Sequence, residues 1–285
     1  MKLKFKLFSL IIIFCIVISF AIVLTSANEV KVNNNTNSLN DFYNDMEKCN
    51  GTFNMTKDYE YMENDSPLIF TGDNYVINGN GHKIDGSNEI MGLTFTNNLT
   101  PGKIVINNMT LSNFSGACVG SDFYEVELNN VVFIDNEGNQ DGSVTISLSD
   151  NITLTNCTFK SNDNSSDISV TDSNMTVNNS TFLENNNTAI IYNRGSLEIE
   201  NCNFENFSSQ YGGIINYKGH FLSIENSNFL NSNASLTGGA IIGKYFPKTI
   251  GDVSVPSDAM LIENCTFSNI SSSSNGGSIY MDLDS

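Results

Sequence analysis

The sequence contains few basic residues, few histidines and few prolines. It has no tryptophan, one arginine, two histidines and four prolines, and its 13 Lys and Arg residues stand against 31 Asp and Glu residues. The formal net charge of −18 at pH 7 repels the phosphates of nucleic acids and the surface of anionic membranes. We therefore expect no nucleic-acid partner, and the excess of carboxylates suits a protein that is soluble outside a cell.

Cysteine is also scarce, and its spacing excludes common metal sites. The six cysteines include no C-x-x-C pair, so zinc and iron–sulfur chemistry have no support. Cys157, Cys202 and Cys265 each follow an asparagine directly and lie two repeats apart, which in stacked strands is about 9.6 Å. That distance is too long for a disulfide, so we expect free, buried thiols.

The N-terminal region has three parts before the repeats begin. Residues 1–27 combine three lysines, an uncharged apolar run and a small-residue end, which predicts a signal peptide or an N-terminal membrane anchor. Residues 28–37 are polar and predict a linker. Residues 38–65 predict an N-terminal cap, in which Ser38 and Asp41 form a capping box and Leu39, Phe42 and Met46 follow helical spacing.

A repeat occupies most of the remaining chain, predicted as residues 66–285. A large apolar residue follows an asparagine by three places in every unit. The asparagines are Asn108, Asn130, Asn156, Asn179, Asn201, Asn226 and Asn264, and the apolar residues are Leu111, Phe133, Phe159, Phe182, Phe204, Phe229 and Phe267. Successive apolar residues are separated by 22, 26, 23, 22, 25 and 38 positions, a period typical of solenoids.

Each unit also alternates apolar and polar residues, as a strand with one buried face does. In one unit Met175, Val177, Ser180 and Phe182 share a face, so the alternation shifts by one place at Asn179. Asparagine tolerates the left-handed conformation, and one left-handed residue turns a strand sharply. The pattern predicts an asparagine at one corner of every coil, with the amides stacked in a buried structural ladder. The predicted fold is all-β, a right-handed parallel β-helix of about eight coils with three strands per coil and a short N-terminal capping helix.

Several motifs resemble a known family. They are the asparagine corners, the N-C-T-F strands, the G-G-[AS]-I openings at Gly238 and Gly276, and the segment I-N-G-N-G-H-K-I-D-G from Ile77 to Gly86. Together they resemble the right-handed parallel β-helix repeats of adhesin-like surface proteins from methanogenic archaea and, more distantly, the pectate lyase-like superfamily. The resemblance covers roughly Ser66 to the end, and because its motifs are scaffold residues it implies a fold more than an activity.

The residues that catalysis on this fold would need are scarce. By resemblance, pectate lyase-like enzymes use an arginine base and acidic calcium ligands, and related hydrolases use clustered aspartates with a histidine. The chain offers Arg194, His82 and His220, and we expect His82 to be structural. We therefore predict no catalytic residues, and a polysaccharide lyase or glycoside hydrolase with a divergent site remains the alternative.

One group of residues is a candidate glycan-binding patch. Aligned turns place Asp122, Asp150, Asp172, Arg194 and Lys218 in approximate register, with Lys244 on the next coil. Tyr192, Tyr217, Tyr245 and His220 lie close by in sequence, and an insertion around residues 246–256 predicts a long loop beside them. Aromatic rings and cations can bind a glycan, and the aspartates could attract Ca²⁺. No other metal or cofactor is expected.

These features predict a secreted or cell-surface adhesin-like or envelope structural protein. It would display its turns and one outer sheet to glycans or cell-surface components, without catalysis. Sequons in turns, at Asn113, Asn206, Asn233 and Asn269, could carry glycan, whereas sequons at the corner asparagines should be buried. No cap is recognisable after Met281, so self-association through the C-terminal coil is a further expectation.

Overall fold

The structure is a computed structural model that describes residues 37–49, 51–96, 102–137, 142–162, 166–210, 212–245, 248–250, 253–255 and 260–282. The chain divides into two units, residues 1–35 and 36–285, and all described residues belong to the second. The predicted leader and nearly all of the predicted linker lie outside the described residues. Among the described helices, none has the length and apolar character needed to cross a membrane.

The second unit is a parallel β-solenoid of about eight turns, which confirms the predicted fold. Each coil contributes strands to three faces. Face 1 contains β2 (Thr52–Asn54), β5 (Asn74–Asn78), β12 (Ile152–Thr155), β15 (Met175–Asn178), β18 (Ser196–Glu200), β21 (Phe221–Glu225) and β26 (Met260–Glu263). Face 2 contains β1 (Asn37–Ser38), β3 (Tyr59–Glu60), β6 (Lys83–Asp85), β13 (Thr158–Lys160), β16 (Thr181–Asn185), β19 (Asn203–Ser209), β22 (Asn228–Ala234) and β27 (Thr266–Ser272). The long strands β8 (Gly102–Ser112) and β10 (Tyr124–Ile134) run through both faces.

Face 3 is a separate nine-stranded parallel sheet. Its strands are β4 (Ile69–Phe70), β7 (Leu93–Phe95), β9 (Val119–Asp122), β11 (Val144–Ser147), β14 (Ile168–Thr171), β17 (Ile190–Asn193), β20 (Ile215–Gly219), β23 (Ile241–Tyr245) and β28 (Ile279–Asp282). The insertion after β23 forms an antiparallel hairpin of β24 (Lys248–Ile250) and β25 (Val253–Val255), where the sequence predicted a loop.

The predicted capping helix is present as α1 (Leu39–Glu47). Ser38 accepts a hydrogen bond from the Asp41 amide, and the Asp41 carboxylate accepts one from the Ser38 amide, which completes the capping box. Phe42 is fully buried and makes edge contacts with Phe53, Tyr59 and Phe70 at centroid distances of 5.5, 5.2 and 6.3 Å. Parallel pairing already begins at β2 and β5, so coil strands lie within residues 38–65, the region predicted as the cap.

The seven repeated asparagines lie at corner 1, between face 1 and face 2. Their φ angles fall between 50° and 54°, the left-handed conformation that the sequence predicts. Their side chains are exposed, however, so the prediction of a buried amide column is wrong. The left-handed backbone turns the side chain outward while the strands on either side point their apolar residues inward. On the surface, the Asn264 side-chain amide does donate a hydrogen bond to Asn226 Oδ1 at 3.4 Å.

Two further rows of residues also have left-handed φ angles. Corner 2 lies five residues after corner 1, at Asn113, Asp135, Ser161, Glu184, Asn206, Asn231 and Asn269. Corner 3, between face 3 and the next face 1, contains Phe123, Leu148, Asp172 and Arg194. A left-handed conformation costs most L-residues roughly 1–2 kcal/mol, and asparagine and aspartate less. At these positions the chain therefore changes direction at a single residue, whereas short connecting segments join face 2 to face 3.

Inside the solenoid, aromatic rings and thiols stack from coil to coil. Phe133, Phe159, Phe182, Phe204, Phe229 and Phe267 form one column, with neighbouring centroids 4.6–4.9 Å apart and ring planes within 11°. In the row after corner 1, cysteine alternates with serine, and the Cys157 and Cys202 amides donate to Ser180 and Ser227 at 3.0 and 3.1 Å. All described cysteines are free thiols. Burial raises the pKa of Cys157 and of Cys202 to about 11, so neither is a ready nucleophile.

The left-handed conformation at corner 1 should make the stability of the protein sensitive to substitution of Asn179. Asn179→Val is expected to lower the free energy of unfolding by about 1–2 kcal/mol, because a β-branched residue is disfavoured at positive φ. The matched control is Asn178→Val, at the neighbouring strand position, where valine is favourable. Urea midpoints of both variants check this, and equal midpoints would contradict the assigned corner.

Candidate functional site

Two of the residues predicted for the glycan patch are buried in the structure. Tyr192 and Tyr217 point into the core, are 0% and 1% exposed, and stack with centroids 5.6 Å apart. The Tyr192 hydroxyl donates to the backbone carbonyl of Ser173 and lies 2.7 Å from that of Ser196. The nearby Gly195 leaves room for this hydroxyl, since a Cβ there would lie 2.7 Å from it. The prediction that these two tyrosines contact a ligand is therefore wrong.

The predicted cations lie in two adjacent rows rather than one. Lys218 pairs in register with Asn193 and Lys244, and Lys244 in turn with Asp282. Arg194 belongs to corner 3, one residue beyond that row. Arg194 Nη2 lies 2.5 Å from Asp172 Oδ2, and Lys244 Nζ lies 3.9 Å from Asp282 Oδ2. The surface is thus a row of mixed charge, in which Lys218 is exposed and forms no ion pair with another described residue.

The remaining predicted residues are distributed around this row. His220 is half-buried, and its amide donates to the Gly195 carbonyl at 2.9 Å. Tyr245 pairs in register with Gly219, and the hairpin β24–β25 begins three residues later. Its side chain lies outside the described set. His82, expected to be structural, lies 2.9 Å from Asp58 through Nδ1.

The three aspartates proposed for calcium lie in different rows. Asp122 pairs in register with Ser147, whereas Asp172 is a corner 3 residue and Asp150 follows the corner residue Leu148 by two places. Within the described ranges, no three His, Cys, Asp or Glu side chains are grouped as metal ligands would be.

Sequence reasoning missed an acidic groove on the outer surface of face 1. Glu200, Glu225 and Glu263 pair in register on three successive coils. Glu198, Phe221 and Leu261 lie beside the first two glutamates and line an open groove of about 330 Å³. The signal was present in the repeat, because all three glutamates directly precede a corner asparagine.

A buried polar cluster lies inside corner 2 and was also missed. Asn136 donates to Asn162 Oδ1 at 3.0 Å, and Asn162 and Asn185 donate to Asp167 Oδ1 at 2.9 and 3.1 Å. Asp167 Oδ2 and the Ser143 hydroxyl, on the adjacent coil, are buried without a hydrogen-bond partner in the described structure. Burial raises the pKa of Asp167 to about 7, although the two amides act in the opposite direction. Each of the three asparagines lies six places after a corner asparagine, which is the signal that could have revealed them.

Comparisons with known proteins do not assign this chain to a family. No family model matches the chain, and no curated protein matches it. A solved structure described as "L. reuters 100-23 SRRP" is 14% identical, with a TM-score of 0.40, and the match covers 87% of this chain and 97% of that chain. A likeness this weak carries no argument. The fold assignment rests on strand pairing, and the resemblance to adhesin-like repeat proteins stays a prediction.

Proposed function

We propose that this protein is a non-catalytic extracellular or cell-surface binding protein, adhesin-like in role, that presents rows of polar side chains to glycans or other cell-surface components. The observation that carries the proposal is a surface ladder on face 1. Asn78 donates to Asn54, Asn107 to Asn78, and Asn129 to Asn107, at 2.8, 2.9 and 3.0 Å.

Such a ladder presents the same group about every 4.8 Å along the axis, on a rigid support. Repeated hydrogen-bonding groups in fixed positions suit an extended polymer, because binding does not have to order the surface. The grooves on this surface are open rather than enclosed, whereas catalytic sites usually exclude water. The net charge of −18 suits a role outside the cell.

A glycan array and a product assay on the same purified protein test the proposal together. We expect retention of the protein on a subset of glycans or on whole cells, with no release of reducing ends or unsaturated products, with or without Ca²⁺. Binding to nothing on the array and to no cells would contradict a binding role. Release of products would contradict the non-catalytic assignment.

A glycoside hydrolase is the second candidate, and the face 1 groove favours it. Glu200 and Glu225 are register partners, so their backbones lie about 4.8 Å apart, close to the carboxyl separation of about 5–5.5 Å in retaining enzymes. A lyase is less favoured, because the ion pair with Asp172 occupies Arg194, the only arginine. If the protein is a hydrolase, Glu225→Gln will abolish product release while a half-buried control on face 2, Glu205→Gln, keeps it.

A further inference from the structure

Two bulky apolar residues occupy corner 3 on adjacent coils. Phe123 and Leu148 have φ angles of 67° and 55°, in the left-handed region that large apolar side chains rarely adopt. Leu148 remains 47% exposed, so burial does not offset its unfavourable conformation. Strained residues of this kind persist where function requires their side chains.

The corner itself does not require apolar residues. The Phe123 and Leu148 amides donate to Ser147 and Thr171 carbonyls on the next coil at 3.1 and 3.0 Å. Asp172, at the same corner one coil later, makes the equivalent bond to Asn193 at 2.8 Å. Since a backbone amide makes each bond, asparagine or aspartate would serve the corner equally well and with less strain.

The two side chains border an open groove of about 430 Å³ between corner 3 and face 1. Its polar lining is provided by Asn74, Lys103, Glu125 and Asp150. Gly102 also lines it, and a Cβ at Gly102 would lie 2.1 Å from the Asp73 carbonyl, so glycine is needed at that position. The groove thus combines an apolar edge with a polar wall.

The charged side chains of the groove indicate which class of ligand it can bind. Lys103 Nζ lies 2.5 Å from Glu127 Oε1, so this cation is already engaged. Neither Glu125 nor Asp150 forms an ion pair with a described residue, so their oxygens remain available as acceptors. Free carboxylates repel sulfated or uronate chains, whereas they accept hydrogen bonds from the hydroxyls of neutral sugars.

We propose that this groove, bordered by Phe123 and Leu148, binds a neutral carbohydrate. The apolar C–H face of one sugar ring packs on the two side chains, and its hydroxyls donate to Glu125 and Asp150. The inference rests on the proposed binding function and adds the location and the ligand class. It also explains why two strained apolar residues are retained at an exposed corner.

The test compares affinity with stability. Calorimetric titration of the purified protein uses short neutral oligosaccharides of glucose, galactose and mannose, with uronate oligosaccharides of similar length and spermidine for comparison. Phe123→Asn and Leu148→Asn are each expected to weaken neutral-sugar binding about tenfold or more. Leu148→Asn is also expected to raise the unfolding midpoint by about 2–4 °C, because asparagine tolerates the left-handed corner.

Asp135→Asn, at an exposed left-handed position of corner 2, is the control and should leave neutral-sugar affinity unchanged. Wild-type affinity in both Asn variants, or preference for uronates or for amines such as spermidine, would overturn the groove as a neutral-sugar site. If other glycans on the array still bind, the proposed function survives that result. If nothing on the array or on cells binds, both fail.

Discussion

Phe182→Ala is expected to lower the free energy of unfolding by about 3–5 kcal/mol, the usual cost of removing a buried phenylalanine. Phe182 is 0% exposed and lies between the rings of Phe159 and Phe204 at 4.8 and 4.7 Å. The variant therefore loses the buried apolar area of one ring and two stacking contacts, and leaves a cavity that the strands above and below cannot close. Urea denaturation measures the loss.

Leu183→Ala is the matched control, because Leu183 is the next residue on the same strand and is only half-buried on the outer surface. We expect it to change the unfolding free energy by less than about 1 kcal/mol. Equal losses in the two variants would contradict the inward column of rings.

Asp167→Asn is expected to stabilise the protein above neutral pH and to have little effect near about pH 4. Burial raises the folded-state pKa of Asp167 to about 7 from its ordinary value of 3.8. The folded state therefore holds the proton more tightly than the unfolded state. This contribution to stability is complete below the unfolded pKa and is lost as pH rises through the folded pKa. This difference in pKa corresponds to about 4 kcal/mol of unfolding free energy.

The measurement is the difference between variant and wild-type urea midpoints as a function of pH. That difference should grow between about pH 4 and pH 7 and then level off. Asp135→Asn is the control, because Asp135 is an exposed corner residue that tolerates asparagine. A pH-independent difference for Asp167→Asn would show that Asp167 is ionised in the folded protein at all of these pH values.

The solenoid could be predicted from the sequence because its strongest signals are local. The shift in alternation at Asn179 requires a corner, and a corner at positive φ selects asparagine. The column of phenylalanines follows from the same three-residue spacing. The helix α1 was predictable from its capping box and from Leu39, Phe42 and Met46, which are all buried.

The orientation of side chains at the corners and on face 3 was harder to predict. Exposure of the corner asparagines follows from the direction of Cβ at a left-handed residue, which the alternation alone does not define. On face 3, Tyr192 and Tyr217 follow turns of variable length, so the sequence does not fix which residues face inward. Arg194 lies one position beyond Asn193, which is the register partner of Lys218, so an alignment error of one residue places Arg194 in the wrong row. The same error exchanges inward-facing for outward-facing residues.

Corner 3 shows why the groove escaped prediction. Corner 2 holds asparagine or aspartate on five of its seven coils, a signal that could have been read at a fixed distance of five residues from corner 1. Corner 3 holds Phe123, Leu148, Asp172 and Arg194, which share no chemistry. Only the backbone reveals that these residues adopt one conformation, and that two of them are unsuited to it.

Equivalent residues of successive coils stack along one axis at the spacing of parallel strands. Thr110, Val132, Thr158, Thr181, Asn203, Asn228 and Thr266 form one outward row on face 2, joined by successive register pairs. Nitroxide labels can be placed at Thr110 and Thr266, or at Thr158 and Thr266, with Cys15, Cys49 and Cys265 replaced by serine. Cys118, Cys157 and Cys202 are buried and should remain unlabelled.

Pulsed electron–electron double resonance then measures the distance between the two labels in each variant. The first pair spans six coil-to-coil steps and the second four, so backbone separations of about 29 Å and 19 Å are expected, and the two distributions should differ by about 10 Å. Two narrow distributions with that difference agree with the solenoid. Separations that do not increase with the number of coils would contradict it.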